Sequence, residues 1–147
     1  MDRPFDASAP TLFYSIVMHA SAALFLVLAL LLFFAPRTFL DGLGLDMTTS
    51  TDFLARRASV LLLSLAVLCF FGRKAKSGVA RQALALAMLA ATGLMALLGT
   101  IELVRGATTV AILKPVAIEA TCAACFFLIW WRDRPADLAS RRGGAIN

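Results

Sequence analysis

The stretch ATTVAILKPVAIEATCAACFFLIWW, residues 107–131, decides how this chain is read. About 20 mainly apolar residues cross the hydrocarbon core of a bilayer, and this run is long enough. It also carries Lys114, Pro115 and Glu119. A charge at the centre of a membrane helix costs about 2.5–3.5 kcal/mol on the insertion scale. Such groups usually face a bundle interior or a wet cavity. The run therefore implies a polar spot inside a membrane protein.

Three more runs of this kind precede it, at 12–35, 53–71 and 82–104. Pro36 closes the first, Gly72-Arg73-Lys74 the second and Arg105-Gly106 the third; Arg132-Asp133-Arg134-Pro135 closes the fourth. The chain is 61% hydrophobic and 16% charged, against about 45–50% and 25% in soluble domains. Its mean hydropathy is +0.85. The expected fold is all-α, a four-transmembrane-helix antiparallel bundle (12–133) with both termini on one side. Residues 1–11 are expected as a short cytoplasmic N-terminus, and the polar, Gly-rich and basic 134–147 as a mobile tail. The first run is far longer than a signal-peptide core and is read as a retained helix.

Four crossings put nine basic residues on the side of the termini: Arg3, Arg73, Lys74, Lys76, Arg81, Arg132, Arg134, Arg141 and Arg142. The other side has five: Arg37, Arg56, Arg57, Arg105 and Lys114. The positive-inside rule then expects a bacterial inner (plasma) membrane protein with cytoplasmic termini. Trp130 and Trp131 fit the aromatic belt on that side. In the loop after the first run, Phe39, Leu40 and Leu43 are spaced for a short amphipathic turn. Thr48-Thr49-Ser50-Thr51-Asp52 offers N-cap oxygens for the second helix.

The net charge of +5 is explained by these flanking positions. Without a basic stripe interleaved with aromatics, nucleic acid is not an expected partner. Cys69, Cys122 and Cys125 lie inside apolar runs, which argues against a disulfide scaffold. Cys122-x-x-Cys125 sits mid-helix among alanines, so small-residue packing is the reading preferred to a redox motif. Small residues at Ala83, Ala87, Ala91, Gly93, Ala96 and Gly99 suggest the third helix as the central packing helix.

Depth along the helices gathers Arg56, Arg57, Glu102, Arg105 and Lys114 at the outer end, with Glu119 at mid-membrane. The expected site is an outward-facing polar cavity with Glu119 at its floor. Each member also has a plain structural reading. The arginines can anchor helix ends at headgroups, and Glu102 can pair with Arg105 or Lys114. Glu119 is too short to snorkel, so it is protonated, paired or hydrated, in a functional or a purely structural role. Pro115 is expected to kink the fourth helix. His19, the lone histidine, reads as a packing residue, with a proton relay to Glu119 as the alternative. No metal set, cofactor motif or catalytic signature is present, and an enzyme is disfavoured.

Phe34-Ala35-Pro36, the outer Phe39-Leu40-Asp41-Gly42-Leu43-Gly44 turn, the arginine start of helix two and Phe71-Gly72-Arg73 before an alanine-rich helix give the chain a resemblance. It resembles small bacterial four-helix membrane proteins of the broad DoxX-like kind. That resemblance implies the bundle, an unassigned role and no transferable catalytic residue. The expected function is binding of a small molecule or a partner membrane protein through the cavity. The alternative is a proton- or ion-coupled transporter acting as a homo-oligomer, and the third reading is a membrane redox or lipid-modifying enzyme. The charge asymmetry makes a prediction of its own. Arg141→Cys should resist a membrane-impermeant maleimide in intact cells, and labelling there contradicts cytoplasmic termini.

Overall fold

A computed structural model of the chain describes residues 12–45, 48–76 and 78–143, with side chains as far as Asp133. Among the described residues there are helices and turns and no strand. The four long helices are α1 (Leu12–Phe34), α3 (Thr49–Gly72), α4 (Gly78–Val104) and α5 (Leu113–Gly143), and all four contain stretches long and apolar enough to cross a membrane. Large apolar side chains such as Leu30, Leu61, Leu86, Leu97 and Leu128 point outward on every one of them. Helices apolar all round suit hydrocarbon and would be costly in water. The chain is a small polytopic membrane protein.

The short helix α2 (Pro36–Asp41) follows α1 directly, with Pro36 at its first position. Proline suits that place, because the first helical N–H has no intrahelical partner to lose. Leu45 N–H then reaches back to Leu40 O at 3.1 Å and Gly44 N–H to Asp41 O at 3.0 Å. This six-to-one and five-to-two pattern needs a left-handed residue, supplied by Gly44 at φ +73°. The end of α4 repeats the pattern with Gly106 at the same φ.

Two helices begin earlier than hydropathy indicates. The start of α3 is a reciprocal cap: Thr51 N–H donates to Thr48 Oγ1 (3.2 Å), and Thr48 N–H to Thr51 Oγ1 (2.7 Å). Polar capping residues fall outside an apolar run, so the run understates the helix. The same holds for α4, which opens at Gly78 and brings Arg81 into its first turn. At the other extreme, α5 continues to Gly143 through part of the segment expected as a tail. Residues 1–11 and 144–147 lie outside the described residues.

The helices pack as two hairpins, α1 with α3 and α4 with α5. Residues from all four meet in one core at the end where α1 starts. Tyr14, Met18, Cys69, Met88 and Phe126 are its most enclosed side chains. The most buried helix is α1, through Tyr14, Val17, Met18, Ser21, Ala22, Phe25, Ala29 and Leu32. That corrects the assignment of the central role to the third helix. On α4 the buried row is Arg81, Ala85, Met88 and Thr92, while Ala83 and Ala87 are exposed. The small residues that do bring helices together are further along. A Cβ on Gly99 would lie 2.6 Å from Val116 Cγ2, and one on Gly93 would lie 3.9 Å from Ala123 Cβ.

Three polar contacts lock the core end. Arg81 Nε donates to Asp133 Oδ2 at 3.1 Å, with side chains only 10% and 17% exposed. Gln82 adds a 2.7 Å bond to the Asp133 carbonyl. Within the other hairpin, the Tyr14 hydroxyl donates to Gly72 O at 2.8 Å. Removing one partner of a buried ion pair strands the other charge, at a cost of about 3–5 kcal/mol, whereas replacing both by apolar groups is often near neutral. Asp133→Ala should therefore lose stability on that scale when unfolding is followed in detergent micelles. The double change Arg81→Met with Asp133→Leu should recover most of the loss. A single variant within about 0.5 kcal/mol of wild type contradicts the lock.

Candidate functional site

The α4–α5 hairpin sets the site. Val116 meets Gly99, and Ala123 meets Gly93. Glu119 lies between them on α5, three residues past Val116 and four before Ala123, so it shares their α4-facing side. This antiparallel register puts Glu119 level with Ala96. Val110 lies roughly 15 Å away in one direction, through six α-helical residues at about 1.5 Å each and a 3₁₀ turn at about 2 Å per residue, and Trp131 roughly 18 Å in the other. Glu119 is thus at mid-depth. Glu102 lies on the same α4 face as Gly99 and, at about 1.5 Å per residue, roughly 9 Å nearer the loop end than Glu119.

A groove of about 280 Å³ runs along this face, and Glu102 and Glu119 both line it. Its walls are Met95, Leu98, Gly99, Ile112, Pro115 and Val116, with Ala107 and Thr108 from the connection and Leu45 from the loop after α2. Gly44 and Thr109 hold that loop against the connection. Thr109 Oγ1 donates to Leu43 O at 3.2 Å, and a Cβ on Gly44 would lie 2.8 Å from Thr109 Cγ2. The link explains why a residue of the first hairpin covers a groove of the second.

Glu119 is half-buried and makes no hydrogen bond or ion pair with a described residue. Two hydroxyls of the neighbouring helices are turned to their own backbones: Thr92 Oγ1 donates to Met88 O, and Ser64 Oγ to Val60 O. Glu102 pairs with Arg105 at 3.5 Å, but the arginine side chain is 71% exposed, so the pair is a weak surface one. Thr108 carries a buried hydroxyl oxygen with no partner.

The cluster expected from three helices does not assemble. Arg56 turns back on Asp52 at 3.2 Å, and Arg57 sits 5.6 Å from the Phe53 ring centre. Both are exposed, as are Lys114 and Arg105, and none of the four lines the groove. Hydropathy gives depth along each helix but not rotation about it. Lys114 projects roughly 140° away from Glu119 at 100° per residue. Pro115 does not kink a continuous helix either. It is the third residue of α5, after a single 3₁₀ turn at Val110–Ile112. In a first turn its missing N–H removes no intrahelical bond.

His19 also lies elsewhere. Its Nδ1 is 2.7 Å from the Ser15 carbonyl, so that nitrogen carries the proton. The ring lines a separate apolar groove of about 370 Å³ between α1 and α3, with Phe70 and Phe71. The structure therefore does not join His19 to Glu119 as a relay. Among the described residues no group of His, Cys, Asp or Glu is arranged for a metal ion. Cys122 and Cys125 are free and partly buried, and Cys69 is buried against Met88, 3.9 Å between sulfurs.

The Arg81–Asp133 pair escaped the sequence reading because both residues fell in segments taken as loops. The available signal was the spacing of Arg81 with Ala85, Met88 and Thr92, one face of a helix.

Comparisons of the chain with protein-family models, curated proteins and solved structures find no match. The site must be read from its chemistry. A carboxyl that stabilises the fold loses stability when replaced, whereas an unpartnered one held for binding does the reverse. Glu119→Leu should raise the thermal unfolding temperature in micelles, and Glu119→Gln should leave it near wild type. A clear drop in both variants assigns Glu119 a structural role.

Proposed function

We propose that the protein is a non-catalytic membrane binding protein that holds a small molecule in the α4–α5 groove, with Glu119 at the floor. The observation that carries this reading is an unpartnered carboxyl at mid-depth on the wall of a groove. An intramembrane acid is costly, and function is the default reason for keeping one. The groove lies at the loop end, and the nine-to-five distribution of basic residues supports an orientation with that end outside and the termini in the cytoplasm. On the same charge asymmetry and the DoxX-like resemblance, we place it in a bacterial inner membrane.

Its volume is just below the usual range of about 300–1,000 Å³ for ligand sites, which favours a small occupant. Met95 offers a test that spares the acidic groups, since Met95→Trp fills the groove. Small amphiphiles that raise the unfolding temperature of the wild type should have no effect on Met95→Trp. Compounds that stabilise both proteins equally contradict the groove as the site.

The mid-depth position of Glu119 also supports proton- or ion-coupled transport, because a titrating group reached from one side is the core of such a cycle. Glu119→Gln vesicles should then lose proton-linked uptake of any compound the screen finds. Unchanged uptake leaves binding alone.

A further inference from the structure

The groove has a chemical bias that points to a class of ligand. Resting on its assignment as the binding site, we propose that it takes a small protonated amine carried on an apolar body.

Among the described residues, three side chains give the groove its polarity, and all three offer oxygen: Glu102, Thr108 and Glu119. No lysine or arginine among the described residues lines it. The lysine nearest in sequence, Lys114, is exposed outside it, and Arg105 keeps its charge largely in the open while touching the rim acid. Thr108 Oγ1 is buried and unpaired on the wall. A buried hydroxyl without a partner is rare in folded proteins. It belongs to a residue that lines the same groove, independent of the acids.

An anionic ligand would meet two carboxyl groups and no cation. A neutral hydrocarbon would leave Glu119 without a partner in a region of low dielectric. An ammonium group supplies both the counter-charge and up to three hydrogen-bond donors. Charge pairing of this kind is stronger away from water. The remaining walls are apolar, with Leu45, Met95, Leu98 and Ile112 the larger side chains. They suit a short hydrocarbon or aromatic body. The two acids lie roughly 9 Å apart along the hairpin axis at 1.5 Å per residue. A ligand can therefore enter past Glu102 at the loop end and seat its cation at Glu119.

Phenethylammonium, 2-phenylethanol and 3-phenylpropionate share one body and differ in charge. Their binding to the full chain in a non-ionic detergent is measured by calorimetry and by saturation-transfer NMR, with Met95→Trp, Glu119→Gln and Lys114→Gln alongside. The ammonium probe should bind the wild type at least tenfold tighter than the alcohol, and the carboxylate should bind weakest. Glu119→Gln should erase the tenfold preference, Met95→Trp should remove binding of every probe, and Lys114→Gln should change neither. Equal binding of ammonium and alcohol, both lost in Met95→Trp, overturns the amine class and leaves the groove standing. Probe binding that Met95→Trp does not alter overturns the groove and this inference together. No saturable binding of the ammonium probe to the wild type also overturns the inference.

Discussion

The close approach of Gly99 to Val116 is the contact on which the site depends. Any larger side chain at Gly99 would collide with a β-branched neighbour that has little rotamer freedom. The contact fixes the register of α4 against α5, and Ala123 beside Gly93 repeats it lower down. Between those two points the register leaves no choice for Glu119: it faces α4 at mid-depth. Close packing of small residues is a main route to helix association in lipid, where apolar burial alone gives no driving force. The same feature that holds the hairpin together therefore aims the acid.

The two ends of the bundle differ in kind. The core end has a shared apolar cluster from four helices, a buried Arg81–Asp133 pair and the Tyr14–Gly72 bond. The loop end has the Thr109–Leu43 bond, exposed helix-end charges and the acid-lined groove. Stability concentrated at one end leaves the other free to carry polar groups that do not help folding. This division matches the general pattern in which unsatisfied or costly groups gather at functional sites and are offset elsewhere.

Much of this was legible in the sequence, for a clear physical reason. Helices that face lipid must be apolar all round, so their number and approximate ends follow from hydropathy. Their polar first turns do not, and Thr49 and Gly78 were therefore placed late. The mid-depth of Glu119 was legible from its position within residues 107–131. The company it keeps was not. Residue depth is one coordinate of a helix position, and rotation is the other; Arg56, Arg57 and Lys114 share the loop end with the groove and point elsewhere. Rotation was partly recoverable on α4, where Gly99 and Glu102 are three residues apart and share a face. It was not recoverable for Leu45, which reaches the groove only because a loop closes on Thr109. Pairing of Arg81 with Asp133 joins residues far apart in sequence and needed the fold itself.

The site rests on a Glu119 carboxyl that faces the groove and has no partner among the described residues. Dicyclohexylcarbodiimide, an apolar reagent that adds to carboxyl groups within membranes, reports on this directly when the adduct is located by peptide mass spectrometry. Modification at Glu119 is expected in the wild type, with strong suppression in Met95→Trp, where the groove is filled. Modification of equal extent in both proteins would place the carboxyl on the lipid-facing surface and contradict the account.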